Sequence, residues 1–190
     1  MAKKNKVQDR RINKEKSRLG HCYAFSARRE LARVRYFNRI LMGAQSRFEF
    51  ESAWKACVVQ LRSVAHVLQK SDGARNAFLR ASVEKRYVFW KSPKKCGNDY
   101  FGFIEDERNS LLKNGRSSIV CEVKEDGEAL EFPVKIIFFG QMCLASNAIS
   151  ECVSWLDLEI ARIEDAAWSE RRVKKSMPTT RKRRTGTGKS

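Results

Sequence analysis

The sequence predicts a mainly α-helical fold: an antiparallel bundle of four to five helices with one inserted β-hairpin and basic disordered tails. Three observations predict it. Apolar residues recur at three- and four-residue steps over 22–113 and again over 144–174. The period switches once, to strict alternation, between residues 119 and 138. Hydrophobic residues make up 42% of the 190, enough for a core, while the charge gathers at the two ends.

The elements follow in order. Residues 22–42 read as a helix with Tyr23, Ala27, Leu31, Val34, Ile40 and Leu41 inward, arginines 28, 29, 33, 35 and 39 on the remaining surface, and Gly43 as its stop. A stronger helix over 46–70 carries Phe50, Trp54, Cys57, Leu61, Val64 and Leu68. Arg62 and His66, four apart, share its polar face, and Ser71-Asp72-Gly73 ends it. The next helix runs to about Trp90 through Phe78, Leu79, Val83 and Tyr87, and residues 92–98 form a basic loop broken by Pro93 and Gly97. A helix over 99–113, capped by Asn98 or Asp99, bears the stripe Phe101, Ile104, Arg108, Leu111 and stops at Gly115. Ile119, Cys121 and Val123, then Leu130, Phe132, Val134, Ile136 and Phe138, alternate on either side of the turn Glu125-Asp126-Gly127. They predict a hairpin near 118–139, with Pro133 marking an edge. A last helix over about 144–174 turns Ala145, Ile149, Cys152, Leu156, Ile163 and Ala167 inward. Short connections make neighbouring helices antiparallel. The chain thus divides into a basic N-terminal arm (1–20), the bundle with its hairpin (21–175) and a basic C-terminal tail (176–190).

The net charge is +17, from 39 Lys and Arg against 22 Asp and Glu. Residues 1–20 carry a net +6, residues 171–190 a net +9, and everything between only +2. This pattern reads as basic arms on a near-neutral body. The ends hold too little apolar surface to offset the entropy of ordering, and they would order on a polyanion by releasing its counterions. The cations offered are Lys3, Lys4, Lys6, Arg10 and Arg11, then Lys91, Lys94 and Lys95 in the loop, and Arg181, Lys182, Arg183 and Arg184 in the tail. Nucleic acid is the expected partner. A lipid surface is disfavoured because no amphipathic apolar face accompanies the charge. No apolar run reaches the ~18 residues of a membrane span, and the start has no secretory apolar region.

No two of the six cysteines are spaced Cys-x-x-Cys, and the histidines are only His21 and His66, so no metal site and no cofactor is expected. Cys57 and Cys152 fall on apolar stripes as small hydrophobes, as in a reduced cytoplasmic protein. Glu105-Asp106-Glu107 reads as solvated charge near a helix N-terminus. The sequence contains neither a phosphate-cradling glycine loop nor a nucleophile elbow.

Arg108 stands where a core-facing hydrophobe is expected. Such an arginine is costly unless paired or facing a cleft. It either ties helices together through Glu105 or Glu51, or contacts a phosphate with Asn109 orienting it. Here the order of features resembles the HEPN superfamily of helical nucleotide-binding and ribonuclease domains. A bundle helix (Ala53-Trp54-Lys55-Ala56 through Arg62-Ser63-Val64-Ala65) precedes an Arg-Asn motif, a glycine turn, a hairpin and a closing helix, over about residues 45–175. The family motif is Arg with a polar residue after it, four to six residues, then His. Arg108 and Asn109 match it, and Lys113 stands where the His belongs. The resemblance implies phosphate contacts at Arg108 and Asn109 and pairing through the bundle, as a homodimer or in a larger assembly. Metal-independent RNA cleavage wants an imidazole near neutral pH, whereas lysine is a permanent cation and a poor base. Catalysis would then need His66 as a displaced substitute. Aromatic residues Tyr100, Phe101, Phe103, Tyr87 and Phe89 read as core, and Trp90 beside Lys91, Lys94 and Lys95 is the place for an exposed stacking ring.

The expected function is non-catalytic nucleic-acid binding, directed at RNA, within a ribonucleoprotein or defence complex. Two alternatives stand beside it. One is a metal-independent HEPN-like endoribonuclease with Arg108, Asn109, Lys113 and His66 as its catalytic set. The other is a protein-interaction module.

Overall fold

A computed structural model describes residues 22–92, 98–114 and 134–176. Among them lie five helices longer than one turn and a two-stranded antiparallel hairpin, the expected helical class. Helix α1 is Phe25–Gly43, α2 Arg47–Val67, α3 Ala77–Trp90, α4 Asn98–Asn114 and α5 Ala145–Ser176; strands β1 (Lys135–Phe138) and β2 (Gln141–Leu144) precede α5.

Helix α2 begins with a capping pair. The Ser46 hydroxyl accepts the Glu49 N–H at 3.2 Å, while the Glu49 carboxylate accepts the Gln45 N–H at 2.8 Å. Ser71-Asp72-Gly73 does not end this helix. The chain widens into a π turn at Leu68–Asp72 and adds one helical turn at Gly73–Arg75. A Cβ at Gly73 would sit 3.3 Å from the Leu68 carbonyl oxygen, so the glycine permits the close approach rather than breaking the helix. The break comes at Asn76, whose extended backbone starts α3 and whose side chain accepts the Phe78 and Leu79 N–H groups at 2.8 and 3.1 Å.

Two expected stripes are corrected. On α1 the inward line is Ala27, Glu30, Leu31, Val34, Asn38 and Leu41, and Ile40 is 40% exposed. Glu30 is buried against Gln60 of α2 and Arg33, and the Asn38 amide donates to the Ser146 carbonyl and Ser150 hydroxyl of α5 at 3.2 and 3.0 Å. On α4 the third member of the line is Glu107, not Arg108. Its carboxylate accepts the Trp54 indole N–H at 2.9 Å. In both helices a polar residue takes the inward position because a neighbouring helix supplies its hydrogen bond.

The hairpin is also corrected. Ile136 and Phe138 face inward as expected, but the turn is Phe139-Gly140 and the partner strand is β2, in the register Lys135↔Leu144 to Phe138↔Gln141. The predicted first strand, its turn and Pro133 lie outside the described residues. Both turn residues have positive φ (51° and 76°), as a tight hairpin needs. Phe139 bears the local cost because its ring packs edge-on against Tyr100 at 4.9 Å, and Tyr100 stacks on Trp155 of α5.

Helix α5 packs against α1, α3 and the hairpin and closes the core, with every inward residue expected of it buried. Buried carboxylates pin α1 in place. Glu164 accepts the Ala24 N–H at 2.9 Å and two bonds from Arg28 at 3.0 and 2.7 Å. Asp72 accepts the Ser26 and Ala27 N–H groups at 3.1 and 2.8 Å, acting from the π turn as the N-terminal cap that Ala24 cannot be. No helix among the described residues is long and apolar enough to cross a membrane.

Candidate nucleic-acid interface

A surface that grips phosphates needs cations the protein has not already neutralised. Most arginines of the bundle fail that condition. Arg28 and Arg35 share Asp157, Arg28 also binds Glu164, Arg33 binds Glu30, Arg47 binds Glu51, Arg62 binds Glu105 and Lys85 binds Glu170. Much of the near-neutral middle of the sequence is thus neutralised locally, pair by pair.

A further buried, paired carboxylate is Glu159, 1% exposed on α5. It accepts two bonds from Arg86, one from the Trp90 indole at 2.7 Å and one from Arg162 at 2.6 Å. Burial pushes its carboxyl up, but these donors outweigh burial and hold it below its ordinary value. The Arg86 guanidinium is raised in turn, chiefly by its bond to Glu159. Trp90 is thus corrected: it is fully buried and structural, not an exposed stacking ring. Lys91 beside it is exposed, with its ammonium 4.9 Å from the Tyr87 ring centre.

The Arg108 group is only partly assembled. Arg108 is half-buried, and its Nη1 donates to Asn109 Oδ1 at 2.9 Å, the orientation expected of the pair. Of the two helix-tying partners, Glu105 binds Arg62 instead and Glu51 binds Arg47. Lys113 is exposed. His66 is exposed at the far end of α2. Trp54 meets Glu107 while Arg62 meets Glu105 and lies 5.5 Å from the Phe101 ring centre, so α2 and α4 run antiparallel. His66 is twelve residues beyond Trp54 and so stands about 18 Å along the axis from the level of Arg108. The structure does not bring the two together. The acidic triplet is corrected as well: Glu107 is buried and Glu105 paired, leaving Asp106 exposed.

One pole of the bundle carries four cations without ion pairs. Helix α5 extends to Ser176, so Arg171, Arg172, Lys174 and Lys175 lie on its last turns, where the helix dipole favours positive charge. Among the described residues no carboxylate forms an ion pair with any of the four. Arg171 lies over the Trp168 ring at 6.0 Å and Lys174 over the Phe78 ring at 5.7 Å. At the same pole the Arg171 charge acts on the Cys22 thiol, and the Ala24 N–H donates at 2.9 Å to Glu164, two turns earlier on α5. The body is therefore joined to residues 1–21 and to residues 177–190 at one end. The arm, loop and tail cations Lys3, Lys4, Lys6, Arg10, Arg11, Lys94, Lys95, Arg181, Lys182, Arg183 and Arg184 lie outside the described residues.

Sequence reasoning missed this pole because it needs the N-terminus of α1 and the C-terminus of α5 side by side. It also missed the cations around Glu159, whose signal was only an isolated acid on an apolar stripe. No group of His, Cys, Asp and Glu among the described residues is arranged to hold a metal ion. No family model, curated protein or solved structure matches the chain.

Proposed function

We propose that this protein is a non-catalytic nucleic-acid-binding helical protein, directed at RNA and serving as a subunit of a ribonucleoprotein or defence complex. One observation carries the reading: the two basic segments leave the body at the same pole, and four cations of the second, Arg171, Arg172, Lys174 and Lys175, lie on α5 without carboxylate partners. Net charges of +6 and +9 rooted together meet one stretch of polyanion at once. The test is fluorescence anisotropy of labelled RNA and DNA oligonucleotides against salt. With six or more phosphates neutralised, affinity falls by roughly a thousandfold or more between about 50 and 200 mM salt. Deleting residues 177–190 weakens binding to all sequences alike. Affinity that ignores salt overturns the reading.

A metal-independent endoribonuclease is the second reading, favoured by the 2.9 Å Arg108–Asn109 contact. It requires RNA cleavage in chelator that Arg108→Ala abolishes. Intact RNA after prolonged incubation removes it.

A further inference from the structure

We propose that the groove between α3 and α5 seats one phosphodiester of a single-stranded nucleic acid, bound by Arg86, Arg162 and the hydroxyl of Ser82. The proposal rests on the nucleic-acid reading above and gives it a place on the folded body.

The groove has a volume of about 480 Å³. That lies within the ~300–1,000 Å³ typical of small-ligand sites, room for one nucleotide unit. Its polar lining is Ser82, Lys85, Arg86, Ser92, Arg162 and Glu170. Ser82 is 5% exposed, and its hydroxyl has no hydrogen-bond partner in the structure. A buried hydroxyl left without a partner costs free energy, about 1–3 kcal/mol. Ser82 belongs to the wall of an open groove that Arg86 and Arg162 also line.

The donors are poised for an anion. Each guanidinium has five N–H groups, and Glu159 occupies only two on Arg86 and one on Arg162. Glu159 holds Arg86 from beneath and fixes its plane before any ligand arrives, which lowers the ordering cost of binding. The charges also match. Lys85, Arg86 and Arg162 pair with Glu159 and Glu170, leaving one positive charge for the one negative charge of a phosphodiester. Val88 and Ala166, both exposed on the rim, offer apolar contact to a sugar or base. A single strand can lower one phosphate into such a recess, whereas a duplex holds its phosphates on a stiff convex surface. Glu170 is followed by Arg171, so the groove opens beside the basic pole and a strand gripped there can continue into it.

The experiment uses the full chain and a fluorescein-labelled oligouridylate of eight nucleotides, with Ser82→Ala and Ala166→Glu as variants. Ser82→Ala removes only the unpartnered hydroxyl, so stability is unchanged or higher while affinity falls roughly three- to tenfold. Ala166→Glu places a carboxylate four residues from Arg162 on the same helix face. It weakens binding about tenfold or more and lowers the slope of log affinity against log salt by about one. Parent-like affinity in both variants, with matching circular dichroism, overturns the groove and leaves the nucleic-acid reading standing. Equal competition by a polyglutamate peptide of the same charge also overturns it, since the groove would then be a general anion site. A parent chain that binds no oligonucleotide at low salt overturns the underlying reading itself.

Discussion

Glu159→Gln is the sharpest probe of what holds this bundle together. The substitution keeps the shape and an oxygen that can still accept the Trp90 indole N–H, but it removes the charge that Arg86 and Arg162 share. Breaking a buried ion pair from one side typically costs about 3–5 kcal/mol, because the partner charge is stranded. Two structural facts place this case at the lower end. The Arg86 side chain is 28% exposed, so water takes up part of its charge, and the Arg162 side chain is 62% exposed and loses little. We expect a loss of about 3 kcal/mol. For a domain of this size that lowers the melting temperature by roughly 6–12 °C. Urea unfolding followed by tryptophan fluorescence and far-ultraviolet circular dichroism measures it, with Arg162→Gln, costing less than about 1 kcal/mol, as the control. A Glu159→Gln protein within about 1 kcal/mol of the parent would refute the claim that this carboxylate anchors α3 to α5.

Further predictions follow from the same contacts. Glu159 titrates below its ordinary value of 4.5, so the folded state binds that proton less tightly than the unfolded chain; its stabilisation is complete above about pH 5 and is lost as pH falls below 4.5, and Glu159→Gln flattens that acid limb in unfolding measured against pH. Burial pushes the Cys57 thiol up to about 12 and Cys152 up as well, so iodoacetamide at about pH 8 leaves both unmodified in the native protein and labels them in urea; peptide mass mapping reads this, and native labelling of Cys57 at the unfolded rate contradicts it. Asp72→Ala strips the acceptor from the Ser26 and Ala27 N–H groups and costs about 1–2 kcal/mol in urea unfolding, whereas Asp72→Asn costs less than half as much.

The sequence by itself determined the helical class, the positions of the five helices to within a few residues, the inward line of α5 and the concentration of charge at the two ends. These are local properties: apolar spacing reports which face leaves water, and a count of charges needs no fold. What escaped it was non-local. Glu30, Asn38 and Glu107 occupy inward positions that a hydrophobic pattern assigns to Ile40 or leaves to Arg108, because each finds its partner on another helix. Phe139-Gly140 carries no Asn-Gly signal, and its turn is held by the ring of Tyr100, more than thirty residues earlier. The tertiary structure alone decided that Arg86 and Arg162 converge on Glu159 and that Cys22 and Arg171 meet at one pole. The physical reason is that the cost of burying a charge, and the reach of a basic surface, depend on which distant groups packing brings within a few ångströms.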